Sequence, residues 1–219
     1  MTDSKNPPLT PELYDYLLAN NPLSAAQRDL IAVTEERFGS VAGLQTAPEQ
    51  GPLLAFLVRL TGARRIVEVG TFTGYSTLSM AQALPDDGTL IACDVNEEWT
   101  ALGRHAWQAA GVGDRIDLRI APALETLRSL PADPWIDLSF LDADKAGYPS
   151  YWQELVPRTR PGGLLVVDNT YFHGGAADPA ATGSAAAIRA FNELVLADDR
   201  VESVQLNVAD GLTLARRSG

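Results

Sequence analysis

The run Ile66-Val67-Glu68-Val69-Gly70-Thr71-Phe72-Thr73-Gly74 carries a short apolar strand straight into a glycine-bounded turn, and the residues from Tyr75 to Leu84 behind it are patterned as a helix. A strand that ends in glycines and opens a helix has the form of the first turn of a nucleotide-binding sheet, where a missing Cβ lets the backbone approach a ligand closely. The spacing is not Gly-x-Gly-x-x-Gly, because only Gly70 and Gly74 are present, and a tight turn with no ligand would use the same two glycines. Asp94 stands 24 residues after Gly70, at the end of the next apolar run, where a carboxylate can accept both hydroxyls of an adenosine ribose. Glu68, inside the strand, suits a cationic ligand, whereas a dinucleotide pyrophosphate would want a fuller glycine set and an open helix N-terminus. S-adenosylmethionine, with its sulfonium and ammonium groups, has the matching charge.

Outward from this turn the chain alternates. Strands are expected at Ile66 to Val69, Thr89 to Cys93, Ile116 to Ile120, Ile136 to Leu141 and Leu164 to Val167. Helices fall between and after them at Tyr75 to Leu84, Glu97 to Ala110, Ala123 to Leu130, Ser150 to Val156 and Ala185 to Leu196. Strand and helix units of this length mean a parallel sheet covered on both faces. Glu202 to Val208 and Leu212 to Ala215 flank Ala209-Asp210-Gly211, a hairpin signal that adds antiparallel strands at the end. The Ala/Gly/Pro/Asp-rich stretch from Gly174 to Gly183 reads as a mobile loop, and no internal repeat is visible.

Before Arg64 the chain reads as packed helices, with a lid or a dimer surface as the functional alternative. Thr10-Pro11 supplies an N-cap followed by proline, and Ser24 with Gln27 and Thr46 with Glu49 each have capping-box spacing. One domain is expected over 1–219, made of a helical cap at 1–45 and a Rossmann-like core at 46–219.

Charge and composition narrow the partners. A net charge of -11 over 219 residues argues against a nucleic acid or an anionic membrane surface and leaves a small molecule. The longest apolar stretch, Leu53 to Val58, is far short of the roughly 20 residues that span a bilayer. Cys93 is the only cysteine, and Met1-Thr2-Asp3-Ser4-Lys5 shows no leader pattern, so a cytoplasmic location is expected. Cys93 itself reads as strand packing, and His105 as a surface or packing residue.

Two further strand ends carry oxygens. Asp142 closes Phe140-Leu141-Asp142 and Asp168-Asn169 closes Leu165-Val166-Val167-Asp168-Asn169. Carboxylates at the ends of apolar strands are costly unless they meet water, a partner or an ion, so the pair suggests a divalent-metal site.

Taken together, Val67-Glu68-Val69-Gly70-Thr71-Phe72-Thr73-Gly74-Tyr75-Ser76, Ala92-Cys93-Asp94, Ala121-Pro122-Ala123-Leu124, Leu141-Asp142-Ala143-Asp144-Lys145 and Asp168-Asn169 resemble the cation-dependent O-methyltransferases. That family includes the caffeoyl-CoA and catechol O-methyltransferases. The resemblance runs from about Leu44 to Ala215 with the motifs in the family's order. It implies a Rossmann-like methyltransferase fold with a mostly parallel seven-stranded sheet, and usually a homodimer. It also implies that Glu68, Gly70, Thr71, Ser76, Asp94, Ala123 and Asp142 contact S-adenosylmethionine, with Thr46 closing over its methionine end. Asp142, Asp168 and Asn169 would hold the metal, and Lys145 would be the general base beside Asp142. Asp144 belongs to the motif but reads as a helix N-cap or loop residue.

The chemistry fits these residue types. Methyl transfer from a sulfonium needs an aligned, deprotonated oxygen, and a divalent cation favours deprotonation of a hydroxyl near it. Two carboxylates and an amide oxygen are hard ligands suited to Mg²⁺ first, then Mn²⁺ or Ca²⁺, and they leave room for a bidentate, catechol-like acceptor. Tyr148, Trp152, Phe172 and His173 could wall its ring. Phe172 stands where the family commonly has tryptophan, so acceptor choice is open. The competing expectations are a nicotinamide-dependent oxidoreductase, which lacks its third glycine here, and a catalytically silent nucleotide-binding dimer module.

Overall fold

The computed structural model describes residues 7–219, so the Met1 to Lys5 reading and the start of the 1–45 cap lie outside the described residues. Helix α1 (Pro11–Asn20) starts at the Thr10 N-cap with proline in its first turn, and α2 (Ala25–Phe38) starts with the full Ser24/Gln27 capping box. After a 3-10 segment at Gly39–Leu44 comes α3 (Gln50–Thr61), which ends at Gly62 in the left-handed conformation.

The alternating part follows as β1 (Arg65–Val69), α4 (Tyr75–Ala81), β2 (Thr89–Asp94), α5 (Glu97–Ala109), β3 (Ile116–Ile120), α6 (Ala123–Ser129), β4 (Ile136–Leu141), α7 (Tyr148–Arg158) and β5 (Thr159–Val167). It closes with α8 (Gly183–Leu196), β6 (Val201–Leu206) and β7 (Leu212–Arg217). The seven strands lie in the order β3-β2-β1-β4-β5-β7-β6, parallel from β3 to β5 and antiparallel through β7 and β6. This is the α/β architecture that the strand and helix alternation predicts.

Two apolar layers hold the sheet. On one face Val67, Val69, Leu141, Leu165 and Val167 pack against Trp152, Leu155, Ile188 and Phe191 of α7 and α8. On the other, Ile66, Leu138, Phe140 and Val166 pack against Leu54, Leu57 and Val58 of α3 and Met80 of α4. Every residue of β4 is buried, as a central parallel strand requires.

Some boundaries differ from the sequence reading. Strand β5 begins at Thr159 rather than Leu164, because its pairing with β4 jumps from Ile136↔Thr159 to Leu138↔Leu164. The intervening Pro161 has no N–H for the ladder and Gly162 takes φ +77°, so the chain bulges and resumes in register. Helix α7 begins two residues earlier than expected, at Tyr148. Within the Gly174 to Gly183 loop, Gly175–Ala177 forms a 3-10 turn.

Candidate active site

The central strands end side by side, and their ends are stitched together by backbone hydrogen bonds. Val69 is paired with Leu141, and Leu141 with Val167. Beyond those pairs Gly70 N–H donates to Cys93 O (3.0 Å), Asp142 N–H to Val69 O (2.9 Å) and Asp168 N–H to Leu141 O (3.0 Å). The crevice therefore opens where the strand order reverses around β1, the usual ligand position in an open α/β sheet. The sequence residues Glu68, Gly70, Asp94, Asp142 and Asp168 all arrive at this edge.

On the β1 side, Glu68 has no exposed surface. Its Oε2 accepts from the Thr77 hydroxyl and from Thr71 Oγ1 (3.4 Å), while Oε1 has no partner among the described residues. Burial pushes its carboxyl up to about 8 against the pull of the Ser76 and Thr77 hydroxyls. A buried acceptor in this condition calls for a cation or a donor. Asp94 Oδ2 accepts from the backbone N–H of Thr71 (3.0 Å) and Phe72 (2.7 Å), and Oδ1 accepts from Asn96 N–H (2.8 Å). The turn is thus pinned to the end of β2. Thr71 and Ser76 are buried, and Ala123 opens α6 half-buried.

The glycines also answer to packing within the chain. A Cβ on Gly70, at φ +92°, would lie 1.8 Å from Asp142 O, and one on Gly74, at φ +79°, would lie 2.4 Å from the Trp107 ring. Gly70 is required by the approach of the β1 turn to the β4 end, and Gly74 by the packing of α5.

On the β4 and β5 side, Lys145 Nζ donates to Asn169 Oδ1 (2.6 Å), Tyr148 Oη (2.8 Å) and Asp142 Oδ1 (3.2 Å). Asp142 Oδ2 accepts from Thr46 Oγ1 at 3.4 Å. Burial holds the Asp142 carboxyl above the usual carboxylate range, with Lys145 and Thr46 pulling it back. Burial, and then the neighbouring Asp142, push Asp168 up to about 7. Asn169 takes φ +56°, in the left-handed region that asparagine enters more readily than most residues with a side chain, and its N–H donates to Asp168 Oδ1 at 2.7 Å. Among the described residues no three His, Cys, Asp or Glu side chains converge as a metal group. The three oxygen donors here are two carboxylates and one amide.

Several assignments need correction. Thr46 and Glu49 form no capping box: Glu49 has helical backbone angles with no side-chain cap, Gln50 Oε1 accepts from Ala47 N–H, and Thr46 turns to Asp142. Tyr148 and Trp152 have no exposed surface, so neither faces open space. Tyr148 holds Lys145 and donates to Asp168 O (3.2 Å), while Trp152 Nε1 donates to Asp198 (2.8 Å). Phe172 is half-buried, the His173 side chain is 86% exposed, and their rings lie 5.7 Å apart at the rim. Asp144 follows the loop alternative of the sequence reading: it accepts from Gly147 N–H and Tyr151 Oη, and the N-cap of α7 is Gly147.

Two residues were not picked out as site residues, although Asp210 stands in the expected hairpin turn. Gln50, buried, donates to Asp168 Oδ1 at 2.9 Å. Asp210, in the β6–β7 turn, accepts from Tyr171 N–H through its carbonyl (2.9 Å) and from His173 N–H through its carboxylate (2.6 Å). The only signal for Gln50 was a polar residue opening an apolar helix.

The sheet order, with the crevice at the ends of β1, β2, β4 and β5, defines a doubly wound, Rossmann-like α/β fold with its ligand crevice at the strand ends. A family model described as O-methyltransferase matches residues 20–218, and the chain belongs to that family. A caffeoyl-CoA O-methyltransferase of Zea mays is 39% identical over 220 residues, covering 94% of this chain and 83% of its own length. Among solved structures, the O-methyltransferase TomG of Streptomyces achromogenes, involved in tomaymycin synthesis and in complex with SAM, superposes with a TM-score of 0.85 at 30% identity, covering 95% of this chain and 96% of its own. An O-methyltransferase from Bacillus cereus in complex with SAH gives 0.82 at 28% identity, covering 94% and 97%. The chain is an S-adenosylmethionine-dependent O-methyltransferase, and the oxidoreductase alternative is set aside. Among the described residues no helix is long and apolar enough to cross a membrane.

Proposed function

We propose that the enzyme is divalent-cation-dependent and methylates one hydroxyl of a catechol-like aromatic small molecule, a vicinal diol or a hydroxy acid. The observation that carries this reading is the convergence of Asp142, Asn169 and Tyr148 oxygens on Lys145 Nζ, with Asp168 beside them. The donor set fits a hard cation, since two buried carboxyls held above their usual range share Lys145 as their one basic neighbour among the described residues. Asp142, Asp168 and Asn169 would hold it, with Mg²⁺ favoured and Mn²⁺ or Ca²⁺ next. When bound, such an ion favours the deprotonated form of a hydroxyl and orients a neighbouring one.

The chain's own residues supply the remainder. Glu68, with one carboxylate oxygen unpartnered, faces the cationic methyl donor, and Asp94 faces its ribose. Thr46, Gly70, Thr71, Ser76 and Ala123 shape the rest of that half, and Asp142 borders both halves. Lys145 Nζ, as the neutral amine, accepts the acceptor's hydroxyl proton and becomes the ammonium as the new oxygen–methyl bond forms and the sulfonium–methyl bond breaks. Phe172 and His173 wall the acceptor at the rim, and Tyr148 serves by holding Lys145. Incubation with isotopically labelled S-adenosylmethionine and a panel of catechols and monophenols tests this. Label in the catechols alone supports the reading, and equal transfer to monophenols contradicts it.

Residues 1–219 are read as a single domain that acts as a homodimer. Phe56 and Leu60 on α3, one turn apart and 58% and 67% exposed, offer an apolar surface for the second copy, and light scattering of the purified chain tests the assembly.

A further inference from the structure

Gln50 opens α3 and is 1% exposed, a buried amide in an otherwise apolar first turn. The orientation of that amide is set from one side, because Oε1 accepts from Ala47 N–H at 3.1 Å. A flipped amide would point a donor at that N–H and an acceptor at a carboxylate. Nε2 therefore points at Asp168 and donates to Oδ1 at 2.9 Å, across 118 residues of sequence. The same Oδ1 accepts from Asn169 N–H at 2.7 Å. Two donors share one carboxylate oxygen, while Oδ2 accepts from no group among the described residues.

We propose that Gln50 is a positioning residue that fixes the Asp168 carboxylate so that Oδ2 is the oxygen offered to a divalent cation. The inference rests on the metal reading above. Without the Gln50 donor the carboxylate is held only by its neighbour's N–H and can rotate about its own bond. Cation binding must then order it, and loss of such an orienting hydrogen bond weakens metal affinity by about 10- to 100-fold. If Gln50 served only to start α3, its bond to Ala47 would suffice and Asp168 would be indifferent to its removal.

The test is calorimetric titration of the full chain with Mn²⁺, using wild type, Gln50→Met and Gln50→Leu, which keep volume but cannot donate. S-adenosylmethionine titration and a thermal melt accompany each protein. The expected result is Mn²⁺ affinity lowered about 10-fold or more, with S-adenosylmethionine affinity at the wild-type level. Wild-type Mn²⁺ affinity in either folded variant overturns the inference alone. A parallel loss of both affinities marks a general structural role and also overturns it. Failure of the wild-type chain to bind Mn²⁺ removes the metal reading and the inference together.

Discussion

Lys145 Nζ lies 2.6 Å from Asn169 Oδ1, joining the loop after β4 to the loop after β5. The Lys145 nitrogen is held by an amide, a buried phenol and a carboxylate, which places one group able to take up a proton among the oxygens proposed for the cation. Lys145→Ala is expected to lower turnover by about 10²- to 10⁴-fold, with S-adenosylmethionine affinity retained. Lys145→Arg is expected not to restore it, because a guanidinium keeps the charge but cannot accept the proton. Steady-state kinetics with cofactor titration checks both, and recovery by arginine would reduce Lys145 to a fixed charge.

Glu68 has opposite consequences for binding and for the free protein. Its unpartnered Oε1 is buried, so Glu68→Gln is expected to weaken S-adenosylmethionine binding by about 10-fold or more, where each tenfold is about 1.4 kcal/mol. The melting temperature of the ligand-free chain is expected not to fall, since a buried carboxyl with one unpartnered oxygen is replaced by a neutral amide. Calorimetry and thermal melts read the two effects separately, and equal cofactor affinity in the variant would detach Glu68 from the donor site.

Gly70 is bound to its position by contact as well as by conformation. Gly70→Ala would drive a Cβ into the Asp142 carbonyl at φ +92°, so a loss of more than about 3 kcal/mol in denaturant unfolding is expected. Wild-type stability in this variant would show that the two strand ends can part.

Asp198 gives a pH-dependent stability difference away from the site. Bonds from Arg200, and then from Trp152 Nε1, hold its carboxyl down to about 2. A carboxyl depressed in the folded state stabilises the fold above the ordinary value near 3.9 and loses that contribution as pH falls through the folded value. Asp198→Asn is therefore expected to cost about 2 kcal/mol at neutral pH and progressively less between about pH 4 and pH 2. Chemical unfolding at several pH values checks this, and a pH-independent difference would contradict it.

The strands and most helices were legible because the sheet is parallel and buried, so β1, β2, β4 and β5 show as apolar runs that stop on a glycine or an acidic residue. The start of β5 was not, since Arg160-Pro161-Gly162-Gly163 reads as a turn and only pairing with β4 shows that the strand spans it. Within the site, Glu68, Asp94, Asp142 and Asp168 could be picked out as charges breaking apolar runs. Gln50 and Asp210 could not, because their importance lies in partners 118 and 37 residues away, and local patterning carries no such distance. The burial of Tyr148 and Trp152 escaped for the same reason: a helix beginning at Tyr148 turns both rings onto Phe191 of α8.

Methyl transfer by this chain is proposed to need a divalent cation held by Asp142, Asp168 and Asn169. The most direct test is the rate of methyl transfer from S-adenosylmethionine to a simple catechol after EDTA treatment and again after Mg²⁺ or Mn²⁺ is returned. Activity is expected to be lost with the chelator and restored by the cation in the wild type, with no restoration in Asp168→Ala. Full activity in the chelated, metal-free enzyme would contradict it.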